Sequence, residues 1–304
     1  MKAIVYRSTG SWYIVKNESG NQFNARLKGV FKIEDSRNTN PLAVGDIVEI
    51  EMENESEGSV VINTIYDRKN YINRQSPRGR FQHHVIAANI DQSLMIATLK
   101  EPRTSAGFID RFLVACEMYH VPATIILNKA DIYKKKEHEK YNEWKQIYEK
   151  IGYPIILTSV KENTGIGEVE GLLTNKITLI SGHSGVGKSS LLNILIPALN
   201  IKTQDVSGWS GKGLHTTTFA EMFDLPGGGK IIDTPGMREF GLWDIAGEEL
   251  ADLFPEMAEF VGQCKFGLSC QHDREPGCAV RKAVMDSVVS PYRYQSYMRL
   301  RAEL

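Results

Sequence analysis

Gly182-His183-Ser184-Gly185-Val186-Gly187-Lys188-Ser189 sets three glycines, a lysine and hydroxyls at spacings that can hold a chain of phosphates. The stretch follows the apolar run 177–181 and opens the helical pattern 190–195, giving strand, glycine loop, helix. Backbone N–H groups of such a loop, with the positive end of a helix behind them, form a concavity for phosphate oxygens. The expected phosphate contacts run from Gly182 through His183, Ser184, Gly185, Val186, Gly187, Lys188 and Ser189 to Ser190. Within them Lys188 can reach the β- and γ-phosphates and Ser189 can ligate Mg²⁺.

Two short motifs upstream supply a base reader. Asn128-Lys129-Ala130-Asp131 directly follows an expected strand over 123–127. The Asp131 carboxylate can accept from guanine N1–H and its exocyclic amine, a donor pair that adenine lacks. The stem of Lys129 can lie along the base, and the Asn128 amide can hold neighbouring loops. Thr158-Ser159-Val160, after the next strand, offers either backbone donors for the guanine carbonyl or a helix N-cap.

Downstream, Ile231-Ile232-Asp233-Thr234-Pro235-Gly236 reads as a strand ending in a carboxylate and a glycine. Asp233 can hold Mg²⁺ through water, and the Gly236 N–H can reach a γ-phosphate. Between the two lies a glycine-rich segment, 208–218, from which Thr217 by preference, and Thr216 next, could close on Mg²⁺. Further on, Cys264-x₅-Cys270-x-His272-x₅-Cys278 supplies three thiolates and an imidazole, a closed set for structural Zn²⁺.

These motifs need a frame. The 304 residues carry 36 Lys+Arg against 37 Asp+Glu, so no global field draws the chain to nucleic acid or membrane. No run of eighteen apolar residues occurs, and the first residues show no apolar leader, so the expectation is a cytoplasmic protein. Cys116, apart from the cluster, is expected to be a buried thiol. Residues 1–67 read as five short strands punctuated by turns, an OB-type β-barrel that serves either as an oligonucleotide-binding face or as a scaffold or protein-docking module. Residues 68–84 read as a basic linker that either touches a phosphate backbone or only connects. From 85 to 244 strands alternate with helices, as in a doubly wound parallel sheet whose ligands sit at the carboxyl ends of its strands. Residues 245–304 read as a small helical zinc-binding domain, with helices over 246–260 and 291–301. The last interleaves Tyr292, Tyr294 and Tyr297 with Arg293, Arg299 and Arg301, suited to RNA stacking or, equally, to packing.

The base-reading motifs precede the phosphate loop, the reverse of the usual order, and a doubly wound sheet tolerates such a permutation. With the amino-terminal barrel, the segment Gly213-Leu214-His215-Thr216-Thr217-Thr218 and the cysteine cluster, the chain resembles the circularly permuted GTPases of small-ribosomal-subunit biogenesis, the RsgA type. Met237 stands where many GTPases carry a water-orienting glutamine, and a thioether cannot do that work. His215 is the candidate on position, and the resemblance points to it too; the alternative is a histidine that packs the loop. The resemblance implies a monomeric GTP hydrolase acting as a checkpoint on the small subunit, contacting its rRNA through barrel and zinc domain. A GTP-dependent regulatory scaffold for a non-ribosomal RNA or protein partner is the alternative.

Overall fold

The computed structural model describes residues 1–9, 12–28, 41–54, 58–75, 83–199, 220–234 and 245–304. Thr216, Thr217, His215, Gly236 and Met237 lie outside these residues, as do Arg78 and Arg80 of the linker.

Strands β1 (Lys2–Ser8), β2 (Tyr13–Asn17), β3 (Gln22–Leu27), β4 (Ile47–Asn54) and β5 (Ser59–Ile65) pair in the order β1-β2-β3-β5-β4, and β4 returns to β1. The ring is closed, with β3 and β5 parallel and every other pair antiparallel, which is the strand order of an OB-type barrel. Alternation explains the interior: Ala3, Val5, Val15, Ala25, Val48, Ile50, Val60 and Ile62 point inward and are buried.

The described residues of the basic linker contribute to a β-ribbon. β6 (Tyr71–Gln75) and β7 (His83–Ala88) form a two-stranded antiparallel ribbon. Its positive charge hid an apolar thread, since Ile72 and Ala87 are fully buried. Arg68 does not face a phosphate; its fork closes on the buried Asp46 carboxylate, with Nε–Oδ1 and Nη2–Oδ2 both 2.7 Å.

The second sheet comprises β8 (Gln92–Ala97), β9 (Ala123–Leu127), β10 (Ile155–Leu157), β11 (Ile177–Ser181), β12 (Glu221–Asp224) and β13 (Lys230–Asp233). They lie in the order β10-β9-β8-β11-β13-β12, the first five parallel and β12 antiparallel. Helices α1 (Ala106–Met118), α2 (Lys135–Lys150), α3 (Ile166–Leu173) and α4 (Lys188–Leu195) cover both faces. β8 shows why its sequence is a continuous apolar run: Leu94 and Ile96 pack with the α3 and α4 side, Met95 and Ala97 with the α1 and α2 side. β12 also pairs antiparallel with β1 at Glu221 and Arg7, so barrel and parallel sheet form one eleven-stranded surface. Asp224 reinforces the seam, accepting from Tyr6 Oη at 2.6 Å, from Lys16 and from Lys230.

The carboxyl-terminal module holds α5 (Pro255–Ala258), α6 (Ala279–Met285) and α7 (Pro291–Glu303). A single helix over 246–260 is not what forms: a 3₁₀ turn at Leu250–Leu253 gives way to α5 at Pro255. Proline lacks the N–H needed to continue the turn and holds Phe254 extended at φ −110°, ψ 98°. Among the described residues, no helix is long and apolar enough to cross a membrane.

Candidate functional site

The loop 182–187 leaves the carboxyl end of β11 and feeds α4, and its glycines are demanded by the backbone. Gly182 has φ 155°, and a Cβ there would lie 2.5 Å from Ile96 O; Gly187 has φ 94°, and a Cβ there would lie 2.3 Å from Asn128 Nδ2. Lys188 opens α4 and turns toward the end of β13, with Nζ 2.9 Å from Asp233 Oδ1 and 3.1 Å from Thr234 O. Lysine, carboxylate and the half-buried Ser189 thus sit at one strand edge, where a phosphate and a hard cation would find their complementary groups.

Asn128, Lys129 and Asp131 follow β9, the second neighbour of β11 across β8. Asn128 is buried and its amide spans three segments: Nδ2 donates to Val186 O at 2.9 Å, while Oδ1 accepts from Thr158 Oγ1 at 3.1 Å and Val160 N at 3.4 Å. Asp131 is exposed, with Oδ1 accepting from Ser159 Oγ at 2.7 Å. The same Ser159 hydroxyl accepts from Glu162 N at 3.1 Å, so it caps a turn and orients the carboxylate together. Lys129 is in the left-handed region at φ 66°, and its Nζ donates to Glu101 O at 2.5 Å.

Sequence reasoning passed over three residues of this site. Tyr133 donates to Asn128 O at 2.6 Å and accepts from Leu99 N at 2.8 Å. Burial pushes its hydroxyl up to about 12, which keeps the donated proton in place. Glu101 receives Lys129, and Thr104 meets His183 across 79 positions of chain. A hydroxyl that tethers loops carries no spacing signature; Tyr133, two residues beyond the tetrad, offered proximity alone.

In the carboxyl-terminal module, Cys264, Cys270, His272 and Cys278 are buried and their ligand atoms lie within 4.8 Å of one another. His272 presents Nδ1, 3.5 Å from both Cys264 Sγ and Cys278 Sγ. Backbone N–H groups of Ala279 and Arg281 point at Cys264 Sγ and Cys278 Sγ, at 3.3 and 3.4 Å, as donors to thiolates would. Burial raises the Cys270 thiol, pushes Cys278 up to about 12 and holds the His272 imidazole below its ordinary value. Such a pocket keeps imidazole neutral, its ligating form, and needs a cation to make thiolates favourable. Three sulfurs and one nitrogen fit a tetrahedral metal with no open position.

α7 supports this loop from behind. Tyr294 donates to His272 O at 2.6 Å, Tyr297 to Gln271 O at 3.2 Å, and Arg301 to Gln271 O at 2.6 Å. Arg293 is fully buried, its Nη1 2.6 Å from Asp110 Oδ1 and its Nε 2.6 Å from Glu256 Oε1. Of the two uses the sequence left open for this helix, these four side chains serve packing; Arg299 is exposed.

A parallel sheet whose phosphate loop follows the base-reading motifs in the chain, instead of preceding them, is a circularly permuted P-loop GTPase fold, joined here to an OB-type barrel and a Cys₃His module. The RsgA GTPase family matches residues 65–243, and the RsgA N-terminal domain matches residues 2–60. The chain belongs to the RsgA GTPase family. It is 50% identical over 297 residues to the small ribosomal subunit biogenesis GTPase RsgA of Cytophaga hutchinsonii, covering 98% of this chain and 96% of that one. Among solved structures it is similar to YjeQ from Thermotoga maritima, with TM-score 0.80, 34% identity, and 100% of this chain and 98% of that one covered. YloQ, described as a circularly permuted GTPase, superposes with TM-score 0.75 at 29% identity over 99% of this chain and 94% of that one.

Proposed function

We propose that this chain hydrolyses GTP to GDP and phosphate as a timing switch in late maturation of the small ribosomal subunit. The observation that carries the reading is the Asn128 amide: it ties the loop after β11 to the loops after β9 and β10, in a chain of the RsgA GTPase family. On this reading residues 182–190 hold the phosphates, and Asn128, Lys129, Asp131, Thr158 and Ser159 hold the guanine. Lys188 exchanges Asp233 and Thr234 O for phosphate oxygens when nucleotide enters, and the carboxylate it leaves becomes available to Mg²⁺ with Ser189. Mg²⁺, when bound, supplies charge neutralisation at the β/γ oxygens. Thr217 and Gly236 complete this set and His215 orients the attacking water; these three rest on sequence order. Cys264, Cys270, His272 and Cys278 hold one structural Zn²⁺.

The domain limits that go with this function are 1–67, 85–244 and 245–304, joined by 68–84. The barrel and the zinc module contact rRNA of the small subunit, and the protein works in the cytoplasm as a monomer. The exposed Trp12 at the barrel rim and the exposed Arg274 and Arg299 of the zinc module suit stacking and phosphate contact. The test is nucleotide selectivity: with Mg²⁺, GTP is expected to be turned over and ATP at least about a hundredfold less well, since adenine lacks the donor pair for Asp131. Equal use of both nucleotides would contradict the assignment.

A further inference from the structure

The phosphate loop is tied down from two sides. Asn128 holds Val186 O on one side. On the other, the half-buried His183 sets Nε2 2.7 Å from Thr104 Oγ1 and Nδ1 3.2 Å from Ser184 O, and its ring meets Phe108 edge-on at 5.4 Å between centroids. Thr104 is itself fixed: it is buried, its N–H donates to Thr98 O at 2.8 Å, and its Oγ1 accepts from Thr98 N at 3.0 Å. It stands immediately before Ser105, the N-cap of α1, whose side chain accepts from Phe108 N. Further along α1, Asp110 binds Arg293 of α7 at 2.6 Å and Arg111 pairs with Glu303. α1 therefore has the phosphate loop against its amino end and the carboxyl-terminal module along its length.

We propose that His183 is a positioning residue: it fixes the phosphate loop to α1 and, through α1, makes the carboxyl-terminal module respond to nucleotide occupancy. The inference rests on the guanine-nucleotide reading above. A glycine loop samples many conformations, and each anchor removes some of them before ligand arrives, leaving less ordering to be done on binding. By linkage, a nucleotide that orders the loop must also suppress local opening of whatever the loop is tied to.

The experiment compares the full-length parent with His183→Ala, Thr104→Val, the double variant, and Thr104→Ser, which keeps the hydroxyl. GDP affinity is expected to weaken roughly two- to tenfold in either single variant, the range of one lost hydrogen bond, with no further loss in the double and none in Thr104→Ser. For GTP turnover KM is expected to rise by a larger factor than kcat falls in either single variant, and a fall in kcat with KM unchanged would count against a positioning role. Hydrogen exchange over 106–118 and 291–303 should slow when the parent is saturated with GDP, and should slow less in His183→Ala at equal saturation. Parental affinity in both single variants, additive losses in the double, or equal GDP-dependent protection in parent and His183→Ala would each overturn the proposal. A parent that binds no guanine nucleotide removes the underlying reading and the proposal together.

Discussion

On the proposed reading, two residues set what the guanine site discriminates and how tightly its phosphate loop is built. Asp131 is exposed and held by one hydroxyl, as a carboxylate waiting to accept a donor pair must be. Asp131→Asn is expected to lower GTP affinity about a hundredfold, since a charge-assisted pair of hydrogen bonds is lost. The same variant should gain affinity for xanthosine triphosphate, whose carbonyl replaces the amine and accepts from an amide; competition titration reads both effects. Gly187 is the second case: φ 94° and an amide nitrogen 2.3 Å from where a Cβ would stand leave no room for alanine. Gly187→Ala should abolish measurable nucleotide binding in the same titration while the far-ultraviolet circular dichroism stays parental. Residues constrained this tightly are legible in a sequence, because close main-chain approach or a donor pair admits few residue types. Thr104 and Tyr133 are not, because a hydroxyl that bridges loops can come from common residues at any separation.

Among the elements, α7 forms as expected, and its sequence pattern left two uses open. Tyrosines alternating with arginines look the same whether they face RNA or pack, and only burial separates the cases: Arg293 is fully enclosed between Asp110 and Glu256, beneath Phe254 at 4.6 Å. Arg293→Met strands two carboxylates and is expected to cost about 3–5 kcal/mol, which lowers the thermal midpoint by roughly 10 °C. Scanning calorimetry checks this, and an unchanged midpoint would show that the cluster is solvated. The expected helix over 246–260 is broken at Pro255, a signal present in the sequence. The Cys₃His loop was legible because four ligands at short spacing have few other uses. Stripping the metal with a strong chelator should abolish hydrogen-exchange protection over 264–278 and leave β8 and β9 protected, because the loop has only short turns of its own and the sheet its own core.

For the whole molecule, the order of motifs and the continuity of the sheet carry the account. The alternating pattern from 85 onward foretold the parallel sheet, and the loops after β9, β10 and β11 that carry the motifs meet at Asn128. The pattern did not foretell that the barrel would extend the sheet, because the β1–β12 pairing rests on one residue pair and the Asp224 cluster, drawn from distant stretches. Through that seam the barrel grips β12, and through Arg293 the Cys₃His module grips α1, so both flanking modules are attached to elements of the nucleotide domain. A protein so arranged should hydrolyse GTP slowly alone and faster when both modules engage one large partner. The most direct measurement is single-turnover GTP hydrolysis by the full-length chain with purified small ribosomal subunits, with large subunits as the control. At least about tenfold acceleration by small subunits and none by large ones is the predicted result; rates indistinguishable from those of the protein alone would contradict it.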